Sequence, residues 1–162
     1  KTSKQKDKLS VVFSGDALIK NEYMPLVQDR LYFYQKISES FSVDDIFSVR
    51  EELVDRFGPL PIETETLLTI SSLQCALYSY PILKSFIKPN VFSVVLGEVP
   101  AGLGPSAFFQ RLSEAFQDSG RPYKIKNGSE GFLVIAFETV SIKDSLGFSI
   151  KFAELFSPVV DK

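Results

Sequence analysis

The run Phe57-Gly58-Pro59-Leu60-Pro61 is the strongest constraint on how this chain can fold. No helix passes through it. Glycine readily takes the backbone angles that close a helix C-terminus, and proline cannot continue the ladder but suits a first turn. One helix therefore ends at Phe57 and another begins at Pro61. Upstream, Ser42 is a good N-cap, and Asp45 three residues on completes a capping box. The helix after Pro61 is expected to reach about Tyr80, before Pro81. Around it Leu67, Leu68, Ile70, Leu73, Cys75, Ala76 and Leu77 point in nearly all directions. Such a helix is buried, and Cys75 reads as a packed thiol. An earlier helix is expected from about Pro25 to Ser40.

The second half changes character. Ile82 to Ile87 and Val91 to Leu96 read as strands, and Gly104-Pro105 opens a helix over Ser106 to Ser119. Tyr123 to Lys126 and Phe132 to Glu138 flank Asn127-Gly128, a hairpin signal. Ser141 with Asp144 caps a last helix ending near Phe156. Three helices followed by β-β-α-β-β-α make an α+β fold with a small, mostly antiparallel sheet. Residues 1–16 read as a lead-in linker with a short strand at Leu9 to Phe13, and Ala17 to Ile19 as extended. Residues 17–162 read as one domain, with a helical half to about 80 and a sheet-and-helix half after it.

The inventory of side chains excludes most chemistry. The 162 residues contain no histidine and one cysteine. Ser-His and Cys-His nucleophiles, His-liganded metals and internal disulfides are all removed. No G-x-x-x-x-G-K-[ST] phosphate loop is present. No enzyme activity, cofactor or metal is expected. Hydrophobic residues make up 44% and the net charge is -2, which suits a packed domain but not a duplex-DNA reader. No apolar run is long enough to span a bilayer, and no signal peptide opens the chain, so a cytoplasmic location is expected. The start at Lys1 reads as that of a piece of a longer protein. The lysines of residues 1–8 are either a solvated linker or a tail that touches nucleic acid.

The helix after Ser42 is the informative one. On a helical wheel Val43, Ile46, Phe47, Val49, Leu53, Val54 and Phe57 form one arc, with Arg50 inside it snorkelling or pairing with a neighbour. The opposite arc holds Asp44, Asp45, Glu51, Glu52 and Asp55. Acids suit the helix start, which accounts for Asp44 and Asp45 but not for the other three. Glu51 and Asp55 are moreover a like-charge i,i+4 pair, at a cost of ~0.2–0.5 kcal/mol. Glu52 to Arg56 is the one favourable pair. The ridge is either an ordinary solvated face or a docking surface for a basic partner.

Glu52-Leu53-Val54-Asp55-Arg56-Phe57-Gly58-Pro59-Leu60-Pro61 resembles the E-L-x-D-R-F-G-x-L-P signature of the C-terminal regulatory domain of bacterial transcription-repair coupling factors (the Mfd family). Ala17-Leu18-Ile19, Tyr23, Pro25, Arg30-Leu31 and Tyr34 match the family's upstream pattern, with Lys20 where the family usually has proline. The resemblance covers roughly Ala17 to Leu77. It implies an origin in an ATP-dependent DNA translocase that removes stalled RNA polymerase and recruits UvrA for nucleotide excision repair. It further implies that this domain is autoinhibitory and masks the basic UvrA-binding module by intramolecular docking. The docking acids would be Glu52 and Asp55, with Glu51 beside them. Arg56, Phe57, Gly58, Pro59 and Pro61 would hold the helical corner. No direct DNA binding by this domain is expected. Two other readings stay open. One is an accessory nucleic-acid-binding domain using residues 1–8 with Lys84, Lys88, Lys124 and Lys126. The other is a ligand sensor with a pocket between the Phe-rich sheet and the last helix.

Overall fold

The computed structural model describes residues 9–78, 80–97, 110, 112–114 and 117–156. The lysine-rich start, the Gly102 to Pro105 cluster and the first part of the Ser106 to Ser119 helix lie outside these residues. The elements in chain order are β1 (Ser10–Phe13), α1 (Val27–Ser38), α2 (Val43–Phe57), α3 (Ile62–Ala76), β2 (Ile82–Lys88), β3 (Val91–Leu96), β4 (Tyr123–Asn127), β5 (Leu133–Glu138) and α4 (Ile142–Phe156). Residues 112–114 and 117–119 are also helical. The architecture is the α+β arrangement expected. The five strands run in the order β1-β2-β3-β5-β4, with β1 parallel to β2 and every other pair antiparallel. The short strand of the lead-in is thus an edge of the sheet. No helix among the described residues is long and apolar enough to cross a membrane.

Two cores share one helix. Ile82, Ile87, Phe92, Val94, Ile135 and Phe137 line the inner face of the sheet against Leu73 and Leu77, near the end of α3, and Phe148 and Phe152 of α4. Ile19, Met24, Phe33, Ile37, Ile46, Val49 and Leu53 pack against Leu68 and Cys75 of α3. The all-round apolar character of α3 follows from this position: it is a wall with a core on each side. Its buried hydroxyls are satisfied, two within the helix and one by the chain ahead of α1. Thr66 Oγ1 and Ser71 Oγ donate to the carbonyls of Ile62 and Leu67, and Thr64 Oγ1 to that of Leu18. Cys75 is buried, with its Sγ 3.6 Å from the Ser40 carbonyl oxygen.

Several boundaries differ from the sequence reading, α1 for one ending at Ser38 rather than Ser40, and four differences have a clear local reason. First, α1 begins at Val27 rather than Pro25, because Leu26 is the extended N-cap and Arg30 Nη1 occupies the carbonyls of Met24 and Pro25. Second, α3 ends at Ala76 rather than Tyr80. Tyr78 N–H donates to Cys75 and Tyr80 N–H to Leu77, tight turns that lead the chain out of the helix before Pro81. Third, Ala17 to Ile19, expected to be extended, carries a bend at Leu18 and lies outside the sheet, held by Leu18 N–H to the Glu63 carbonyl and Ile19 N–H to Tyr34 Oη.

The fourth concerns the hairpin, which is present around a longer turn than Asn127-Gly128 suggests. Asn127 pairs with Leu133, and Ser129–Gly131 forms a single 3-10 turn between the strands. A two-residue turn would set Ile125 opposite Glu130. The observed register sets Ile125 opposite Ile135 and Tyr123 opposite Phe137, which keeps the apolar residues on one face.

The start of α4 is a second capping arrangement, with Asp144 N–H donating to Ser141 Oγ and Val140 N–H to Asp144 Oδ2. Arg121 donates to both Asp144 carboxylate oxygens, at 2.8 and 2.7 Å. The Arg121 guanidinium, helped by the Val140 N–H, lowers the Asp144 carboxyl to about 2. A depressed carboxylate stabilises the fold above its unfolded value near 3.8, and that contribution is lost as pH falls from about 4 to about 2. Urea midpoints measured across this window are expected to fall more steeply for the parent chain than for Asp144→Asn. Parallel profiles would remove Asp144 as a source of acid sensitivity.

Candidate functional site

The acidic helix is built as its sequence directs. Ser42 Oγ accepts from Asp45 N–H, and Asp45 Oδ2 accepts from Ser42 N–H, a complete capping box. At the other end Gly58 N–H donates to the Val54 carbonyl. Gly58 itself sits at φ 88°, ψ -168°, which a residue with a Cβ adopts only under strain. Tyr23 Oη reaches across the corner and donates to the carbonyls of Gly58 (2.8 Å) and Leu53 (3.2 Å). Pro61 is the extended N-cap of α3 rather than its first helical residue.

The wheel placed seven apolar residues of α2 in one arc, but the structure buries only part of it. Ile46, Val49 and Leu53 are in the core, and Phe57 is half-buried against Tyr23 and Phe33. Val43, Phe47 and Val54 are exposed, Phe47 at 56%. The reason is that α2 meets α1 and α3 along a seam narrower than its apolar arc. Arg50 pairs with Glu65 of α3, so it serves the α2–α3 contact.

The three ridge acids part company. Glu52 is turned into the contact with α1: it accepts from Lys36 Nζ at 3.0 Å, Tyr32 Oη at 3.3 Å and Arg56 Nη1 at 3.2 Å. The Lys36 hydrogen bond is the main reason its carboxyl lies below the usual range, and the same bond raises Lys36. Arg56 adds a contact to Asp29 at 3.9 Å and lies over the rings of Tyr32, Phe33 and Phe57. Glu52 and Arg56 therefore tie α2 to α1. Glu51 and Asp55 point away from this network. Both are exposed, and neither forms an ion pair among the described residues. The free acids of the ridge are Glu51 and Asp55, and they share the outer side of α2 with the exposed Phe47 and Val54. Sequence reasoning missed those two apolar residues because a wheel shows where an arc lies, not how much of it a neighbour covers.

The upstream motif residues are stitches of the same unit. Arg30 holds two carbonyls ahead of α1, Tyr34 accepts from Ile19, and Tyr23 closes the corner. Lys20 pairs with Glu63 at the start of α3, at 3.1 Å. Among the described residues, the space between the sheet and the last helix is packed with rings. It is filled by Phe92, Phe137, Phe148 and Phe152, with ring centroids 4.9–6.4 Å apart. A shallow apolar groove of about 270 Å³ lies elsewhere, among Val43, Phe47, Thr69, Ala76 and Ile150.

Comparison with known proteins adds the relationships. The family described as TRCF domain matches residues 13–100, just over half of the chain. The transcription-repair-coupling factor of Escherichia coli (strain K12) is 36% identical over 58 residues, 36% of this chain and 5% of that protein. Its counterpart in Haemophilus influenzae is 40% identical over 58 residues, again 36% of this chain and 5% of that protein. The aligned part thus spans about 5% of the length of these curated relatives. Among solved structures, the crystal structure of the C-terminal domain of a transcription-repair coupling factor superposes with a TM-score of 0.76. That similarity covers 94% of both chains at 18% identity, and it speaks to the fold.

Proposed function

The chain belongs to the TRCF domain family, and on that premise we propose that it is a non-catalytic, autoinhibitory domain of a transcription-repair coupling factor. In this reading the parent is an ATP-dependent DNA translocase that acts on stalled RNA polymerase. The domain docks onto the basic UvrA-binding module of the same parent and masks it until polymerase is engaged. The observation that carries the reading is the outer side of α2. There Glu51 and Asp55 stand exposed and outside any ion pair among the described residues, on a helix end that disfavours negative charge. Phe47 and Val54 lie on the same side. Exposed acids beside an exposed aromatic suit a basic protein surface with an apolar centre, and acids repel DNA phosphates.

Internal docking of this kind works by population shift. A closed state favoured by a few kcal/mol is reversed when ligands bind the open state more tightly. The structure changes how the test is built. Glu52→Lys places a cation beside Lys36 and Arg56, so it loosens the α1–α2 contact as well as any interface. Glu51→Lys with Asp55→Lys leaves that network intact. In the full-length parent this pair of changes is expected to raise both ATP hydrolysis and UvrA binding, with the thermal midpoint of the isolated domain unchanged. Unchanged hydrolysis and unchanged UvrA binding would sink the docking role of this helix.

A further inference from the structure

The sheet has a second face, and its register makes that face unusual. Cross-strand partners give one row of Ser10, Lys84, Val95, Val134 and Lys126, and a second of Val12, Phe86, Ser93, Ala136 and Lys124. A third row holds Lys88, Val91 and Glu138. These residues alternate along their strands with Ile87, Phe92, Val94, Ile135 and Phe137 of the core, so they occupy the opposite side. Helices α3 and α4 pack on the core side, and among the described residues no element packs on the other. Among the described residues, four lysines from opposite parts of the sequence therefore share one face with a single acid, Glu138. None of the four forms an ion pair among the described residues.

Their arrangement is a trough. Lys84 and Lys88 form one rail on β2, and Lys124 and Lys126 form the other on β4. Between the rails β3 and β5 supply a floor of Val91, Ser93, Val95, Val134 and Ala136, all small or β-branched. Three inter-strand steps separate the rails, about 14 Å. An α-helix with its side chains is about 10–12 Å across, and so fits between them.

We infer that this face docks an acidic amphipathic helix of a protein partner. Its apolar stripe would lie on the valine floor, and carboxylates on its two flanks would meet the lysine rails. The floor disfavours nucleic acid as the occupant. Single strands are held by stacking on aromatic rings, and among the described residues the one ring on this face, Phe86, lies on the β2 rail beneath the Lys84 and Lys88 ammonium groups, 5.2 and 5.1 Å away. The net charge of -2 also opposes a long polyanion that extends past the patch.

The test uses the 162-residue chain and a labelled helical peptide of about 14 residues, with leucines on one face and glutamates on both flanks. Fluorescence anisotropy is expected to show binding that weakens about tenfold in Lys84→Glu with Lys126→Glu, one change in each rail, with the thermal midpoint retained. A scrambled peptide of the same composition is expected to bind at least about tenfold more weakly. Amide shifts caused by the peptide are expected in β3 and β5. Equal binding by parent and double variant would overturn the inference, as would equal binding of the scrambled peptide. Tighter binding of oligothymidine than of the peptide, lost in the same variant, would reassign the face to nucleic acid. Concentration-dependent dimers abolished by the variant would reassign it to a second copy of the chain.

Discussion

Phe137→Ala is expected to lower the stability of the chain by about 3–5 kcal/mol. Phe137 is fully buried near the end of β5, with Phe92 of β3 as its cross-strand partner on one side and Tyr123 of β4 on the other. Its ring also touches Phe148 at 4.9 Å and Phe152 at 5.9 Å between centroids. Truncation removes the ring from a cluster whose other members are fixed by the sheet above and α4 below. The cavity cannot collapse, so the loss exceeds the transfer free energy of the ring alone. Urea denaturation of the parent, Phe137→Ala and Phe137→Leu checks this. The leucine variant keeps most of the volume and is expected to lose less than half as much. A loss below about 1 kcal/mol for Phe137→Ala would place the centre of this core elsewhere.

How much of this was legible depended on whether the signal was local. The capping box of Ser42 and Asp45, the break at Gly58 and the Ser141–Asp144 cap depend on neighbours within four residues, and each stands in the structure as read. The end of α3 was not legible. Nothing within Leu77 to Tyr80 breaks a helix, and the turn there serves to deliver the chain to β2. The turn after Asn127 failed for a similar reason, since the pairing of Ile125 with Ile135 outweighs the turn preference of Asn-Gly. The site was half legible. Charge periodicity found Glu51, Glu52 and Asp55 as a set, but their division depends on Tyr32 and Lys36, sixteen or more residues upstream of Glu52. The sequence grouped Lys84, Lys88, Lys124 and Lys126 only as basic candidates for nucleic acid, with no local signal that they share a face. Only the register of three strand pairs shows that Lys84, Lys88, Lys124 and Lys126 share a face.

Leu53→Ala is expected to cost about 2–5 kcal/mol, and to disturb more than its own half of the molecule. Leu53 is fully buried in the α1–α2–α3 core, and its carbonyl accepts from Tyr23 Oη at the corner that closes α2. Loss of the side chain opens the seam that holds α2, and with it the helix that presents Glu51 and Asp55. The effect then passes through α3, because Leu68 and Cys75 belong to the core with Leu53, while Leu73 and Leu77 close the chain's other core against the sheet. A wall shared by two cores cannot lose its packing on one side and keep its position on the other. Native-state hydrogen exchange is the discriminating measurement. Protection is expected to fall in α1 and α2 and, by a similar free energy, in β2 and β3. Strands that keep their full protection while α1 and α2 lose theirs would show two independent units, and α3 would then belong energetically to the sheet alone.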